Sequence, residues 1–243
     1  MAKLKGLFQF EGTLAGVSAD RNGVLSMAPP KRAITAVRTL ENNSEFGASA
    51  TAGKTFRDSF RQIVANISDK VATSRLTKLM RAIIATDAVN DRGQRGVIDA
   101  EIELLKGFEF NGNSILSTIM YGGFTALINR ITGAHKVEVE AFDCFRDIAA
   151  PTGTTHVKLV ASASSINFEA KESDNVVATS VPIPYKVGNV AAQTLALPLA
   201  PASVHPIALV YGCEFYQEVN GNLYLLGNGA FTTAKVVEVD GNV

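Results

Sequence analysis

The sequence predicts an α+β fold in which a small helical layer precedes an antiparallel β-sandwich of immunoglobulin or fibronectin III type. Apolar residues recur every three or four positions between residues 53 and 120, which is the spacing of helices that bury one face. Short strand-like stretches, with turn residues about every 8–12 positions, fill residues 121–243 and are typical of a sandwich. Residues 1–52 contain no long periodic run. They are predicted to form an N-terminal arm.

The arm begins with a predicted short hairpin. Residues 4–10 alternate in the manner of a strand, and residues 21–23 are an Arg-Asn-Gly turn signal before a second apolar stretch. Two prolines at 29–30 then interrupt the chain, and the polar stretch of residues 38–47 follows. Because this arm lacks the apolar surface to fold alone, we expect it to dock elsewhere, for instance by adding a strand to a neighbouring subunit.

Two helices and a shorter helical piece are predicted in residues 53–120. The apolar stripe of the first helix consists of Phe56, Phe60, Ile63, Val64 and Ile67. The inward side of the second, over about residues 70–88, consists of Leu76, Leu79, Met80, Ile83 and Ile84. The third piece spans residues 97–105, and its apolar residues are Ile98, Ile102 and Leu105. It is predicted to end at Gly107, because glycine readily adopts the left-handed conformation that follows many helices.

Several strands are predicted in residues 121–243. Residues 136–140 alternate cleanly, and residues 157–160 alternate less strictly. Residues 181–185 contain two prolines, which remove donors from the ladder and therefore indicate an edge strand. The strongest hairpin signal lies in residues 207–226, where an Asn-Gly-Asn turn separates two apolar runs. Residues 234–239 supply the last predicted strand.

Charge is divided unevenly within a chain that is neutral as a whole. Residues 1–95 carry 15 Lys or Arg against 8 Asp or Glu, whereas residues 96–243 carry 8 against 15. An asymmetry of this kind indicates a partner of opposite charge. Nucleic acid would complement the basic half, and so would the acidic half of a second copy. The sequence leaves both partners open.

The basic side chains of the helical zone are the main candidate binding residues. The predicted assembly or polyanion-binding face consists of Arg57, Arg61, Arg75, Lys78, Arg81, Arg92 and Arg95. The predicted acidic acceptor surface on the sandwich consists of Glu138, Glu140, Asp143 and Glu172. An ordinary solvated helix face has the same composition as the basic set, so this interpretation stays open as well.

No catalytic signature is complete. Residues 48–55 match a relaxed phosphate-loop pattern, in which Lys54 would neutralise phosphate and Thr55 would hold magnesium. The segment before them is too polar for the buried strand that such a loop follows, so we expect Lys54 in the first turn of a helix, facing solvent. Cys144 and His156 are a conceivable nucleophile pair without a supporting motif. The three histidines lack the ligand spacing of a metal site. The prediction is therefore a protein that is not an enzyme and has no cofactor.

The cysteines and the first residues bear on the cellular compartment. Cys144 and Cys213 are too few for a disulfide framework and are predicted to be buried small hydrophobic residues. The apolar stretch after the basic start is interrupted at Gln9 and Glu11, which makes it too short for a signal peptide. No run of residues is long enough to cross a bilayer. We expect a cytoplasmic protein.

A series of short motifs runs along the chain. In its N-terminal part they are Lys5-Gly6, Glu11-Gly12-Thr13, residues 38–47, Ala52-Gly53-Lys54, Arg92-Gly93-Gln94-Arg95 and residues 107–111; in its C-terminal part they are residues 150–156 and 212–218. In content and order these motifs resemble those of a family of uncharacterised proteins from Bacteroidetes. The resemblance spans nearly the whole chain and implies a bacterial protein without a signal peptide, but no activity, cofactor or site residue. The family often has an aromatic residue shortly after the position of Ser18, where this chain has Ala19-Asp20, so the packing of the N-terminal hairpin is expected to differ.

These observations predict a non-enzymatic structural protein that assembles with itself into an ordered oligomer, filament, tube or shell. Head-to-tail contact between a basic and an acidic face, together with the docked arm, would join the copies. A nucleic-acid-binding protein is the first alternative. A carbohydrate-binding or surface-binding sandwich is the second, and the absence of Trp counts against it. No small-molecule ligand is expected.

Overall fold

The computed structural model describes residues 12–14, 17–19, 25–27, 36–186 and 188–241. The chain divides into two compact units, Met1–Leu40 and Glu41–Val243. The first unit contains the strands β1 (Gly12–Leu14), β2 (Val17–Ala19) and β3 (Leu25–Met27), which form an antiparallel sheet in that order. Strands β2 and β3 flank the predicted Arg-Asn-Gly turn. That turn and the predicted strand at residues 4–10 lie outside the described residues.

The helices are α1 (Val37–Ser59), α2 (Arg61–Val64), α3 (Ala72–Ile84) and α4 (Leu116–Ile119), and 3-10 helices span Ile102–Leu105 and Leu226–Gly229. The strands of the second unit are β4 (Phe124–Leu127), β5 (Ala134–Val139), β6 (Phe142–Asp143), β7 (His156–Asn167), β8 (Glu172–Thr179), β9 (Ile183–Pro184), β10 (Asn189–Val190), β11 (Gln193–Pro198), β12 (Ile207–Val219), β13 (Asn222–Leu225) and β14 (Thr233–Asp240). Among the described helices, none combines the length and the apolar character that a membrane span requires.

A large antiparallel sheet is built around two long strands, β7 and β12. Strand β12 pairs with β7 on one side and with β14 and β13 in succession on the other. Strand β7 carries β8 and β9 on its outer side. A smaller antiparallel sheet has the order β11-β5-β4, and β6 and β10 form a two-stranded ribbon.

Both faces of the large sheet are buried, which produces three layers in the second unit. On one face, Val210 of β12 packs in a core with Phe56 of α1 and Met80 of α3. On the other face, Tyr211 of β12 packs in a second core with Val137 of the small sheet. Because each side of β7 and β12 meets a covering layer, these strands consist of nearly continuous small and apolar residues instead of an alternating pattern. The fold is mixed α/β with mostly antiparallel sheets, two of which face each other as the sequence predicts.

Most strands predicted in residues 121–243 are present in the structure. Strand β5 covers the alternating residues 136–139, and β7, β12 and β14 contain the other predicted apolar runs. The proline-containing stretch contributes only the two-residue strand β9. In the hairpin of β12 and β13, Asn220 and Gly221 have φ values of 52° and 78°. Two left-handed residues in succession are the geometry of a type I′ turn, which explains the Asn-Gly sequence there.

The polar stretch of residues 38–47 is helical, so its prediction as an irregular arm is wrong. These residues form the first half of α1 and contact the loop at residues 92–95. Ser44 Oγ donates to the carbonyl of Gly93 over 2.7 Å, and the Gly93 N–H donates to Glu45 Oε1 over 2.9 Å. Since the polar side chains bind a distant loop, the helix needs no continuous apolar stripe here. Helix α1 therefore begins at residue 37 instead of residue 53. The compact unit Glu41–Val243 contains most of α1 together with the other helices and the strands β4 to β14.

The other helix predictions are confirmed only in part. Leu76, Met80, Ile83 and Ile84 are buried as predicted, and Leu79 is partly buried against the same core. The third piece is helical only over Ile102–Leu105, after which Gly107 adopts φ of 92°. Ile102 and Leu105 of this piece are buried, whereas Ile98 has 55% of its surface exposed.

Helices α1 and α3 pack closely at Gly53, which leads to a stability prediction. A Cβ atom at Gly53 would lie 3.6 Å from Leu76 Cγ and 3.7 Å from Met80 Cγ, which are ordinary van der Waals distances. We expect Gly53→Ala to raise the free energy of unfolding by about 0.5–1 kcal/mol, because alanine loses less backbone entropy in a helix. Urea denaturation would measure the change. A loss of stability would show that the helices cannot accept the methyl group.

Candidate binding groove

The phosphate-loop pattern lies entirely within α1, so its backbone amides belong to a helix and do not form a phosphate cradle. Lys54 Nζ donates to Asp58 Oδ2 over 2.6 Å on the exposed side of the helix. Thr55 Oγ1 donates to the carbonyl of Thr51 over 3.1 Å. Lys54 faces solvent as expected, but it lies well inside α1, and its placement in a first turn is wrong.

Three of the seven predicted basic residues form contacts within the chain. Arg57 Nη1 donates to Thr73 Oγ1 over 2.7 Å and joins α1 to α3. Arg75 Nη2 donates to the buried carboxylate of Asp69 over 2.6 Å, and Arg75 Nη1 donates to a backbone carbonyl over 2.8 Å. Arg92 Nη2 donates to Asn42 Oδ1 over 2.8 Å. These guanidinium groups hold segments of the fold together.

The remaining basic residues differ in accessibility. Arg95 is half-buried, and its Nε is enclosed without a hydrogen-bond partner in the described part of the chain. Arg61, Lys78 and Arg81 are exposed and form no ion pair with any described residue. Lys78 and Arg81 are three positions apart on α3 and therefore share one helix face. A free basic surface consequently consists of three side chains instead of seven.

The four predicted acidic residues occupy separate places. Glu138 accepts from Lys136 Nζ over 2.7 Å on the outer side of the small sheet, and Glu140 is exposed at the end of the same strand. Asp143 Oδ1 accepts the backbone N–H groups of Phe145 and Arg146 at 2.9 and 3.0 Å. Glu172 lies elsewhere, at the start of β8, where it lines a groove.

The Cys144 thiol does not meet the histidine that would activate it. It is buried between the two sheets, and burial raises its pKa to about 11, which leaves very little thiolate at neutral pH. His156 instead lies 3.1 Å from Thr155 Oγ1 and 3.8 Å from Glu218 Oε2 through its Nδ1 atom. Cys213 is also a buried free thiol. Within the described ranges, no cluster of three or more His, Cys, Asp or Glu side chains is arranged to hold a metal ion.

Three adjoining depressions form a groove around the turn between β7 and β8. Its first depression, of about 250 Å³, lies between α1 at Ala48 and Ala52, the end of α3 at Ile84, and the side chains of Ile98 and Phe168. These walls are almost entirely apolar. Ile98 and Phe168 also line the next depression, so the two form one continuous surface.

The second depression, of about 170 Å³, lies between Ile98, Phe168 and the loop that contains Val204 and Pro206. Arg130 fixes this loop, because its Nη1 donates to the carbonyls of Ser203 and His205 over 2.6 and 2.8 Å. Each apolar depression is smaller than the roughly 300–1,000 Å³ of a typical small-molecule site. Their size therefore favours the binding of one side chain of a larger partner in each depression.

The third part of the groove is polar and acidic. This depression, of about 420 Å³, shares Asn167 and His205 with the second one and is lined also by Glu172 and Asp174. Neither carboxylate forms an ion pair with any residue that the structure describes. Residues 167–174 contain three acidic side chains and one basic side chain, Lys171. The first depression is thus mostly apolar, the second combines apolar side chains with Asn167, Glu169 and His205, and the third is acidic.

Among the groove residues, only Glu172 was predicted as a binding residue from the sequence. Ile98 was predicted only as an apolar residue of a helical piece, because its spacing from Ile102 and Leu105 fits a helical stripe. Phe168 and the loop at residues 203–206 come together only through the pairing of β7 with β12 and β8. A single aromatic residue before a turn carries no signal of its own, so nothing in the linear pattern predicts this surface.

Several motifs that carry the family resemblance contact one another and have structural roles. Residues 107–110 extend the large sheet beyond β14, since the Phe110 N–H donates to the Ala234 carbonyl over 2.8 Å. Asn111 Nδ2 donates to the carbonyls of Ala230 and Thr232 over 2.9 and 2.8 Å. Residues 150–156 and 212–218 meet through the pairing of His156 with Tyr216.

Two carboxylates within these motifs, the buried one of Glu214 and the half-buried one of Glu109, are also accounted for by the fold. Glu214 accepts from Tyr216 Oη over 2.6 Å and from Asn66 Nδ2 over 2.7 Å. Glu109 accepts the Leu116 N–H at the start of α4, with both oxygens 3.3 Å away. Burial raises the pKa of Glu109 to about 7, although the Leu116 N–H and the Lys235 ammonium favour its charged form. Both groups stabilise connections between elements.

Comparison of the chain with protein-family models, with curated proteins and with solved structures finds no match. The resemblance to the Bacteroidetes family therefore stays a prediction.

Proposed function

We propose that this chain is a non-enzymatic structural protein that assembles with itself, and that the groove between α1 and the β7–β8 turn receives the neighbouring copy. The observation that supports this most directly is the apolar surface of the groove, where Ile98 is 55% exposed and Val204 is 72% exposed. Apolar surface that is contiguous and bordered by polar residues usually marks a protein contact. The acidic end at Glu172 and Asp174 favours a partner with basic residues.

The proposed contact joins different surfaces on the two copies. An acidic and apolar groove cannot pair with itself without bringing like charges together, so the partner surface must be another part of the chain. Contacts of this heterologous kind close into a ring or continue as a filament, depending on the rotation between copies. Arg61, Lys78 and Arg81 supply further positive charge that would steer one copy toward the acidic side of the next.

The proposal includes a sandwich of immunoglobulin or fibronectin III type as the rigid part of the subunit, and a cytoplasmic location. Two free, buried cysteines fit a reducing compartment. The raised pKa of Cys144 and the intramolecular contacts of Arg75 and Glu109 fit a subunit whose polar residues maintain the fold. No cofactor or small-molecule ligand is part of the proposed function.

Sedimentation velocity and negative-stain microscopy of the purified chain test the proposal. We expect a concentration-dependent ordered multimer at low salt. Ile98→Lys places a charge in the apolar groove, so we expect it to raise the concentration needed for assembly by at least about tenfold. Val181→Lys is the matched control, because Val181 is exposed to 76% outside the groove. A monodisperse monomer of the unaltered chain at millimolar concentration would rule the proposal out.

Nucleic acid is the weaker alternative, because only three of the seven basic residues predicted to bind it are exposed without an ion pair to a described residue. Three exposed cations that each neutralise one phosphate would give a slope of about −2.7 in log affinity against log salt concentration. That is a small electrostatic contribution compared with the 6–10 phosphate contacts that roughly characterise dedicated DNA-binding proteins. A steeper measured slope, abolished when Arg61, Lys78 and Arg81 are all changed to Ala, would favour nucleic acid over self-assembly.

A further inference from the structure

The shape and charge of the groove specify what its occupant must offer. The two apolar depressions accept separate side chains, and the third depression places Glu172 and Asp174 beside them. A matching segment needs bulky apolar residues at short intervals and basic residues close to them, without acidic residues of its own. In an extended segment, side chains on one face recur about every 6.6–6.8 Å, which suits successive small depressions.

The first ten residues of the chain have this composition. They contain Leu4, Leu7, Phe8 and Phe10 as bulky apolar residues, Lys3 and Lys5 as basic residues, and no acidic residue. The described helices and core strands offer no comparable segment, because their large apolar side chains are mostly used in the two cores. The N-terminal segment therefore complements the groove in both polarity and charge.

An open sheet edge lies beside the acidic end of the groove. Strand β8 pairs with β7 on one side and is the last strand of the large sheet in the described part of the chain. Its first residues, 172–175, are all exposed. Backbone donors and acceptors on such an edge accept an added strand, which gives an extended segment a second source of affinity.

We propose that residues 1–10 of a second copy occupy this groove. Phe8 and Phe10, which share one face of an extended segment, fill the first two depressions. Lys3 and Lys5 lie beside Glu172 and Asp174. This inference rests on the proposed function and identifies the donor segment of the assembly. Each copy has one groove and one such segment, so every copy both donates and accepts.

Cross-linking between two full-length variants tests the proposal. One variant carries Phe8→Cys, and the other carries Ile98→Cys with a tag that changes its mass. The native thiols of Cys144 and Cys213 are fully buried and contribute little background. After mixing and mild oxidation with diamide, we expect a band at the summed mass on a non-reducing gel. Val181→Cys in place of Ile98→Cys is the control, and we expect it to give at most one tenth of that band.

The outcomes separate this inference from the proposed function, because the same samples are examined by sedimentation. Assembly without the Phe8–Ile98 cross-link would contradict the assignment of residues 1–10 as the donor segment, but it would still support self-assembly. Failure to assemble would overturn both. A double variant with Phe8→Cys and Ile98→Cys in one chain that cross-links only within itself would show that the segment does not pass to a second copy.

Charge reversal gives an independent test that does not depend on cysteine chemistry. Changing Lys3 and Lys5 to Glu is expected to raise the concentration needed for assembly about tenfold, because like charges then meet at the acidic end. Mixing this variant with one in which Glu172 and Asp174 are changed to Lys should restore assembly of the mixture. Weakening without restoration would contradict the assigned pairing.

Discussion

Gly212→Ala is expected to lower the free energy of unfolding by about 3 kcal/mol or more, at or above the upper end of ordinary overpacking effects. Gly212 lies within β12 in the middle of the large sheet, where both faces are covered. A Cβ atom at this position would overlap the carbonyl oxygen of Thr233 at 1.8 Å and approach its carbonyl carbon to 2.7 Å. The obstacle is the backbone of β14 and not the end of a flexible side chain. The strands must therefore separate to accept the methyl group.

The same substitution at an open position provides the control. Gly47 lies inside α1, and a Cβ atom there would have no neighbour within 4 Å. We expect Gly47→Ala to leave stability unchanged or to raise it by up to about 1 kcal/mol. Thermal and urea denaturation of both variants would isolate the steric effect. Equal stability of Gly212→Ala and Gly47→Ala would mean that β14 does not approach β12 this closely.

Asp87→Ala is expected to lower the free energy of unfolding by about 2–4 kcal/mol, because it removes a buried carboxylate and leaves three part-buried backbone donors without their acceptor. The buried Asp87 carboxylate accepts the N–H groups of Val89, Asn90 and Gly96 at 2.9–3.0 Å, together with the Asn90 side-chain amide at 2.9 Å. These bonds close the loop between α3 and residue 96. The same loop presents Gly93 to the first half of α1, so its loss should loosen that helix as well.

The stabilising effect of Asp87 should also depend on pH. Burial alone would raise the pKa of Asp87, but the hydrogen bonds from Asn90, Gly96 and Val89 outweigh it and hold the pKa well below its usual range. A lowered folded-state pKa gives stability that is fully present above the unfolded value of about 3.9 and is lost as the pH falls toward the folded value. The stability difference between the unaltered chain and Asp87→Ala should therefore shrink from pH 7 to pH 3.

Asp91→Ala is the control for this prediction. Asp91 lies four positions further along the same loop and is exposed, and its carboxylate has no hydrogen bond in the described part of the chain. We expect it to change stability by less than about 0.5 kcal/mol at either pH. A loss as large as that of Asp87→Ala would indicate a general effect of charge in the loop instead of a specific anchor.

Local patterns predicted those elements whose stability depends on nearby residues. The Asn220-Gly221 turn specified a hairpin because few other residues adopt two left-handed conformations in succession. The prediction of which α3 residues point inward was correct, because one face of this helix contacts one core. The polar first half of α1 was missed, since Ser44 and Glu45 gain their partners from a loop about fifty residues away.

The charge pattern shows the same limit. Counting residues correctly found a basic half and an acidic half, but it treated every basic side chain as available. Arg75 extends toward Asp69 and Arg92 toward the polar residues of α1, because those partners lie within reach only after the chain has folded. Ile98 fits a helical stripe in sequence, yet it lies on an exposed surface in the structure.

The sequence by itself determined the helical and strand-rich zones, the Asn-Gly hairpin and the unequal distribution of charge, because propensity, periodicity and composition act over a few residues. Tertiary structure alone decided which charges remain free, that α1 and α3 cover the second face of the large sheet, and that Ile98, Phe168 and Glu172 line one groove. The physical reason is that these properties depend on side chains separated by tens of residues, and strand pairing sets their distances.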